Sequence, residues 1–243
     1  MAKLWFRSSS FDTKVLDDLG DQDQKTTAQI DNHSAGIVVK PWGYEYLAFE
    51  SSWVAVWCLV LGPRQSTSLH CHRTKDTVLT VLKGHGTVKL LEEEVIVKAG
   101  DVLFLGKSTF HQTIASKDGL VLLEAESPVD KHDLLRISDH YGRRGSGYER
   151  VRNEQDEAFS SIFPRTGYID VDNHEFADGQ QTSFEPIGVE RNLTFKVMKH
   201  RDLTDFQNLV SVEGFVSGLS IYDHAEDQTA DLDSPVVVYS IGP

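Results

Sequence analysis

The chain of 243 residues carries 37 acidic and 24 basic side chains, which gives a formal net charge of −13 at pH 7. Nucleic acid and anionic membranes would repel such a chain, so we expect neither as a partner. Two cysteines are too few for a disulfide scaffold, and no apolar window reaches the roughly 18 residues of a membrane-spanning helix. Because the first residues also lack the apolar core of a secretory signal, we expect a soluble protein of the cytoplasm.

The first half of the chain divides into a polar segment and a strand-rich segment. Residues 1–36 are polar and acidic, and their composition predicts an N-terminal arm or loose linker with one short helix at most. From residue 37 onward, β-branched and aromatic runs alternate with turn residues. These runs predict strands at residues 44–49, 53–61, 77–82, 87–91, 94–97, 102–105, 112–115 and 120–126. Short strands at this spacing indicate an all-β jelly-roll barrel over residues 37–147.

Three histidines and one aspartate form a candidate metal site. His70 and His72 should point to one face of a strand, because side chains alternate across it. Asp76 follows after a short polar turn, and His111 follows the predicted strand at 102–105. An isolated histidine is usually a surface or core residue, but three imidazoles and a carboxylate at one point suit Zn, Fe, Mn, Ni or Co. We therefore expect one divalent transition-metal ion held by these four residues.

Several segments of the chain resemble the motifs of a known superfamily, the cupins. The motifs are HCHRTKD at residues 70–76, GD at 100–101 followed by His111, KPWGYE at 40–45 and HDLLRISDHYGR at 132–143. The first two resemble the paired motifs of the cupin barrel, and the last two resemble the opening and closing segments of the type II phosphomannose isomerase cupins. The resemblance implies a cupin barrel with a metal-dependent isomerase or epimerase activity. The family usually has Glu at the position of Asp76, so this shorter carboxylate either binds the ion directly or lies behind its ligands.

Other charged residues are candidates for catalysis and substrate binding. Glu124 and Glu126 share one face at the end of the last predicted strand, so either could be the base that moves a proton. Lys75 lies beside the predicted ligands and could act in catalysis or bind the anionic end of a substrate. Arg136 could bind a phosphate or carboxylate bidentately. For each of these residues a surface ion pair is the alternative interpretation, because charged side chains are mostly exposed.

The second half of the chain carries no recognisable motif. A glycine-rich stretch at 143–147 marks the end of the predicted barrel, and residues 148–243 are predicted to form a C-terminal β-rich unit. Its predicted elements are a short helix at 150–159 and strands at 166–171, 193–199, 215–222 and 236–241. It contains no second H-x-H pair, so it is not a catalytic repeat. It could pack against the barrel, cover the barrel mouth or complete a dimer.

Three functions remain open at the level of the sequence. The favoured one is a metal-dependent isomerase or epimerase acting on a sugar phosphate or related carbohydrate. An iron-dependent dioxygenase and a non-catalytic sugar-binding or regulatory cupin are the alternatives, because one fold hosts many functions. Residues 53–61 are apolar throughout, so both faces of this strand should be covered. Since cupin barrels commonly pair, as the resemblance implies, we expect a homodimer.

Overall fold

The computed structural model describes residues 2–20, 37–51, 54–130 and 133–142, together with the backbone of five strands beyond residue 142. The first part comprises β1 (Lys3–Phe6), α1 (Ser10–Leu19), β2 (Ile37–Lys40), β3 (Gly43–Ser51), β4 (Ala55–Leu61), β5 (Leu69–Cys71), β6 (Asp76–Leu90), β7 (Glu94–Lys98), β8 (Val102–Leu105), β9 (His111–Ser127) and β10 (Leu135–Ser138). The later strands are β11 (Asp170–Val171), β12 (Gln181–Phe184), β13 (Leu193–Lys199), β14 (Gly214–Ser217) and β15 (Pro235–Ile241). The expected all-β architecture is confirmed.

Two long antiparallel strands organise the barrel. β6 and β9 pair over most of their length, from Asp76 opposite Ser127 to Leu90 opposite His111. The sequence predicted two strands in place of each, with turns between them. The chain bends there without breaking, and shifts in register mark the bends. At one bend, a Cβ on Gly86 would lie 2.3 Å from a backbone oxygen of β9, so only glycine allows this close pairing.

The remaining barrel strands extend this pair on both sides. The main sheet runs in the order β1, β8, β6, β9, β4, β3 and β11, while β5 bridges β9 and β10. The core lies between the strands and includes Trp57, Leu79, Leu103 and Leu122, all less than 4% exposed. β4 is buried on both faces along residues 55–59, as its apolar sequence predicted.

Residues 2–20 pack on the barrel, whereas the rest of the predicted arm, residues 21–36, lies outside the described residues. β1 pairs in parallel with β8, and Trp5 stacks on Phe104 with ring centroids 3.7 Å apart. α1 begins with a capping box in which Ser9 and Asp12 satisfy each other's backbone N–H groups. Its apolar side packs on a small cluster of residues from β5, β10 and the residue before β9. That cluster contains Cys71, Phe110 and Leu135, contacted by Val15, Leu16 and Leu19 of the helix.

The C-terminal strands belong to two different sheets. β11 pairs in parallel with β3 at the edge of the barrel sheet, whereas β12, β13, β15 and β14 form a four-stranded antiparallel sheet. β12 was not anticipated from the sequence. The proposed boundary at residue 147 and the helix predicted at 150–159 lie outside the described residues, so the division into units stays a prediction. Within the part of the chain that the structure describes, no helix has the length and apolar composition needed to cross a bilayer.

Candidate metal centre

Three histidines meet at one end of the barrel. His70 on β5 lies directly opposite His111, the first residue of β9, and His72 follows β5 immediately. All three are buried. The three histidines and half-buried Glu124 each offer one ligand atom, and these four atoms lie within 4.8 Å of one another. The alternation of side chains along β5 and its next residue places the imidazoles of His70 and His72 on the inner face, while Cys71 belongs to the cluster that contacts α1.

Each imidazole is oriented by a backbone carbonyl behind it. Nδ1 of His70 lies 2.9 Å from the Ser68 carbonyl oxygen, and Nδ1 of His111 lies 3.0 Å from that of Thr109. Nδ1 of His72 contacts the carbonyl oxygen of Asp133. Since a carbonyl can only accept, each Nδ1 carries the proton and each Nε2 keeps a lone pair.

The free lone pairs suit a metal ion. Among the described residues, Nε2 of His72 and Nε2 of His111 are buried without a hydrogen-bond partner, although Nε2 of His72 lies 3.8 Å from a Glu126 oxygen. Buried polar atoms without partners are costly in the absence of a ligand. Metal-bound histidines have this same arrangement, with the second ring nitrogen held by a carbonyl or carboxylate. The residues present therefore fit a divalent ion.

Burial also keeps the imidazoles neutral. Loss of solvent is the main cause that lowers the pKa of His70 and of His111, and neighbouring imidazoles lower that of His70 further. Loss of solvent, followed by the nearby Lys75 ammonium, lowers the pKa of His72 to about 3. A metal ligand must be the neutral base. All three rings are therefore in the form that binds metal at neutral pH.

The structure does not bring Asp76 to the three histidines. This carboxylate stands at the start of β6, where its Oδ1 accepts a hydrogen bond of 2.9 Å from the Lys107 N–H. The carboxylate that lies with the three histidines is Glu124, which the sequence suggested as a base. It reaches the centre because β9 places it between Trp57 of β4 and Leu79 of β6. No local spacing signals this, since Glu124 is brought to the histidines by the path of a long strand.

The other predicted residues line a cavity beside the histidines. Its charged lining consists of Lys40, Lys75 and Arg136 with Glu45, Glu124 and Glu126. Nζ of Lys75 lies 2.8 Å from Oε1 of Glu126, and both side chains are buried. Nζ of Lys40 lies 3.4 Å from Oε1 of Glu45. Lys40 and Glu45 belong to the KPWGYE segment, and nothing in their local sequence signals a place in this cavity. Arg143, a second arginine of the closing HDLLRISDHYGR segment, lies outside the described residues.

The cavity is small and has apolar as well as charged walls. Its volume is about 70 Å³, several times the roughly 10–15 Å³ that one water molecule needs. Trp42, Trp57, Leu59 and Leu79 form the apolar part of its lining. The cavity therefore has room for an ion and for several water-sized groups beside it.

Sequence comparison agrees with this geometry. Residues 57–124 match the sequence profile of the family described as Cupin domain. The match covers 68 of the 243 residues, from the middle of β4 to Glu124 on β9. No curated protein shows significant sequence similarity to the chain.

Several solved structures are weakly similar to part of this chain. KdgF from Halomonas sp. is 20% identical, with a TM-score of 0.37, and the alignment covers 38% of this chain and 85% of that one. A putative sugar phosphate isomerase from Acidithiobacillus ferrooxidans is 21% identical (TM-score 0.30; 32% and 52% covered). A recombinant oxalate oxidase in complex with glycolate is 14% identical (TM-score 0.31; 35% and 46% covered). Such distant likeness carries no argument about activity, and the specific resemblance to type II phosphomannose isomerases stays a prediction.

Proposed function

We propose that this cupin is a metal-dependent isomerase or epimerase that acts on a small anionic carbohydrate, such as a sugar phosphate or sugar acid. The observation that supports this most directly is the convergence of three neutral imidazoles beside a buried carboxylate–ammonium pair. His70, His72, His111 and Glu124 would hold the ion. A bound divalent ion would act as a Lewis acid on a carbonyl or hydroxyl oxygen of the substrate.

Glu126 is the proposed base. Its Oε1 lies 3.8 Å from Nε2 of His72, so it borders the place where the ion would sit. The Lys75 ammonium donates a hydrogen bond of 2.8 Å to this oxygen and fixes the direction of the carboxylate. An ionised carboxylate in this position can take a proton from a carbon next to a carbonyl and return it to the neighbouring carbon. Lys75 is also near enough to donate a hydrogen bond to a substrate oxygen.

The charges of the cavity favour an anionic substrate. Three cationic and three carboxylate side chains line it, and the pKa of each of the three histidines is lowered so that the rings are neutral. A divalent ion would therefore leave a net charge of about +2 in a buried space, which is costly unless an anion neutralises it. Arg136 is 3% exposed and lines the same cavity. Its planar guanidinium suits a phosphate or carboxylate group.

The metal set can be tested separately from the activity. Elemental analysis of protein purified without chelator should find one ion per chain, and His70→Ala or His111→Ala should remove most of it. We expect Glu124→Gln to lower occupancy strongly and Asp76→Asn to lower it only slightly, because Asp76 is engaged by the Lys107 N–H. Full occupancy in the His70→Ala, His111→Ala double variant would contradict the proposed centre. A larger loss in Asp76→Asn than in Glu124→Gln would reverse the assignment of the carboxylate ligand.

The activity is tested by proton exchange. The metal-loaded protein, incubated in D₂O with a panel of aldose and ketose phosphates and sugar acids, should incorporate deuterium next to the carbonyl of its substrate. Glu126→Gln should abolish exchange while it keeps the ion, because Glu126 is outside the ligand group. Retention of full exchange in this variant would exclude Glu126 as the base.

An iron-dependent dioxygenase is the second candidate, because three histidines and one carboxylate also suit a redox-active ion. Oxygen consumption by the iron-loaded protein in the presence of the same panel distinguishes the two activities. A binding cupin without catalysis would instead keep its affinity for a sugar ligand after the ion is removed.

A further inference from the structure

One residue outside the predicted metal set holds the turn that follows His72. Asp133 directs both oxygens of its carboxylate at residues 73–75. Oδ1 accepts the Arg73 N–H at 2.7 Å. Oδ2 accepts the N–H groups of Thr74 and Lys75, at 2.8 and 2.9 Å, and the Thr74 hydroxyl at 2.7 Å. Four donors on one carboxylate, three of them consecutive backbone N–H groups, fix this turn in a single conformation.

The same residue also contacts a proposed ligand directly. The backbone carbonyl of Asp133 accepts the Nδ1 proton of His72. The turn that the carboxylate holds ends at Lys75, whose Nζ reaches Glu126 in the cavity. The carbonyl and the carboxylate of Asp133 therefore contact residues 72–75, which connect the proposed ligand His72 to the Lys75–Glu126 pair.

The position of Asp133 in the chain makes this arrangement a long-range one. It stands 61 residues from His72 and just before β10, whose Arg136 pairs with His70 of β5. Burial by itself would raise the pKa of the Asp133 carboxyl, but hydrogen bonds from the Thr74 hydroxyl and from the N–H groups of Thr74 and Arg73 lower it. An ionised carboxylate can accept all four donors, whereas an amide in its place has only one acceptor oxygen.

We propose that Asp133 is a positioning residue of the metal centre, which sets His72 toward the ion and Lys75 toward Glu126 at the same time. The inference rests on the proposed metal site but assigns a role that the ligand set alone does not contain. Groups that orient a ligand from behind typically contribute a factor of about 10 to 100 to metal affinity.

Asp133→Asn tests this role, because it removes the carboxylate and leaves the carbonyl that contacts His72. We expect the affinity for Co²⁺, measured by competition with a chromophoric chelator, to fall about 10- to 100-fold. The visible absorption bands of the Co²⁺ form should shift as well, since the direction of one imidazole changes. Thr74→Val removes one of the four donors and should cause a smaller loss, and it serves as the second variant if Asp133→Asn does not fold.

A matched control separates positioning from general stability. Asp101 also accepts backbone N–H groups with both oxygens, from Ala2 and Lys98, in the turn before β8. Asp101→Asn should lower stability but leave the Co²⁺ affinity and spectrum unchanged. Equal losses of affinity in both Asn variants, or unchanged affinity in Asp133→Asn, would overturn the proposal.

A metal-free measurement distinguishes failure of this proposal from failure of the proposed function. The ¹⁵N shifts of imidazoles report which ring nitrogen carries the proton. In the chelator-treated wild-type protein the His72 ring should be a single Nδ1–H tautomer, and in Asp133→Asn it should become a mixture, while Asp101→Asn keeps the wild-type pattern. A wild-type protein that binds no divalent ion would refute the metal centre, whereas an unchanged His72 ring in Asp133→Asn would refute the role of Asp133.

Discussion

Asp12 provides a sharp test of how the N-terminal segment is attached. It is the third residue of α1 and only 5% exposed. Its Oδ2 accepts the Ser9 N–H at 2.7 Å within the capping box, and its Oδ1 accepts the Phe110 N–H at 3.0 Å from the barrel. One carboxylate thus starts the helix and docks it onto the residue before His111. Asp12→Ala removes both acceptors and adds no atoms.

The expected loss follows from these two hydrogen bonds. Phe110 is 0% exposed, so its N–H would be left buried without an acceptor, which costs about 1–3 kcal/mol. Loss of the Asp12 half of the capping box costs about 1 kcal/mol more, while the Ser9 hydroxyl still caps the helix. The free energy of unfolding should fall by about 2–4 kcal/mol in total, out of the roughly 5–15 kcal/mol of a typical domain.

Urea denaturation measures the loss, and limited proteolysis locates it. Asp12→Ala should shift the midpoint clearly and expose residues 2–20 to cleavage before the barrel unfolds. Asp12→Asn keeps one acceptor oxygen, so its denaturation midpoint should lie between those of Asp12→Ala and the wild type. Asp18→Asn is the matched control, because Asp18 is an exposed acid of the same helix. An effect of Asp12→Ala below about 0.5 kcal/mol, the usual range of surface substitutions, would refute the docking argument.

Four further predictions concern the thiols, a glycine, assembly and the division of the chain. Burial raises the pKa of both Cys58 and Cys71 to about 12, so neither thiol should react with a disulfide reagent at pH 8 until the protein is unfolded; prompt reaction of the native protein would contradict their burial. Gly43→Ala would place a Cβ 2.0 Å from the Val60 carbonyl oxygen and should cost about 3 kcal/mol. Gly142→Ala, whose Cβ would have no atom of the described residues within 4 Å, should cost about 1 kcal/mol; similar melting temperatures for the two variants would exclude the steric cause. Light scattering should give twice 27.2 kDa for the predicted homodimer, and a mass of one chain would refute it. Proteolysis within residues 144–160 is expected if the C-terminal unit is loosely attached. Resistance there would indicate that the C-terminal strands and the barrel form one domain.

Some features of the protein follow from the local sequence alone. The period of two along a strand puts His70 and His72 on one face and Cys71 on the other, whatever the rest of the fold. The apolar run of β4 required cover on both faces, and the structure buries residues 55–59 accordingly. The spacing of Ser9 and Asp12 is that of a capping box and marks the start of a helix, although the polar composition around it indicated an arm.

The tertiary structure alone decided which carboxylate joins the histidines and how the N-terminal helix attaches to the barrel. Asp76 is near the pair in sequence, but a backbone N–H 31 residues away engages its side chain. Glu124 is far in sequence and arrives through the pairing of β9 with β4 and β6. The docking of α1 depends likewise on a hydrogen bond between residues 98 positions apart. Local patterns fix which way a side chain points, whereas strand register and curvature fix what it meets, and these depend on the packing of the whole barrel.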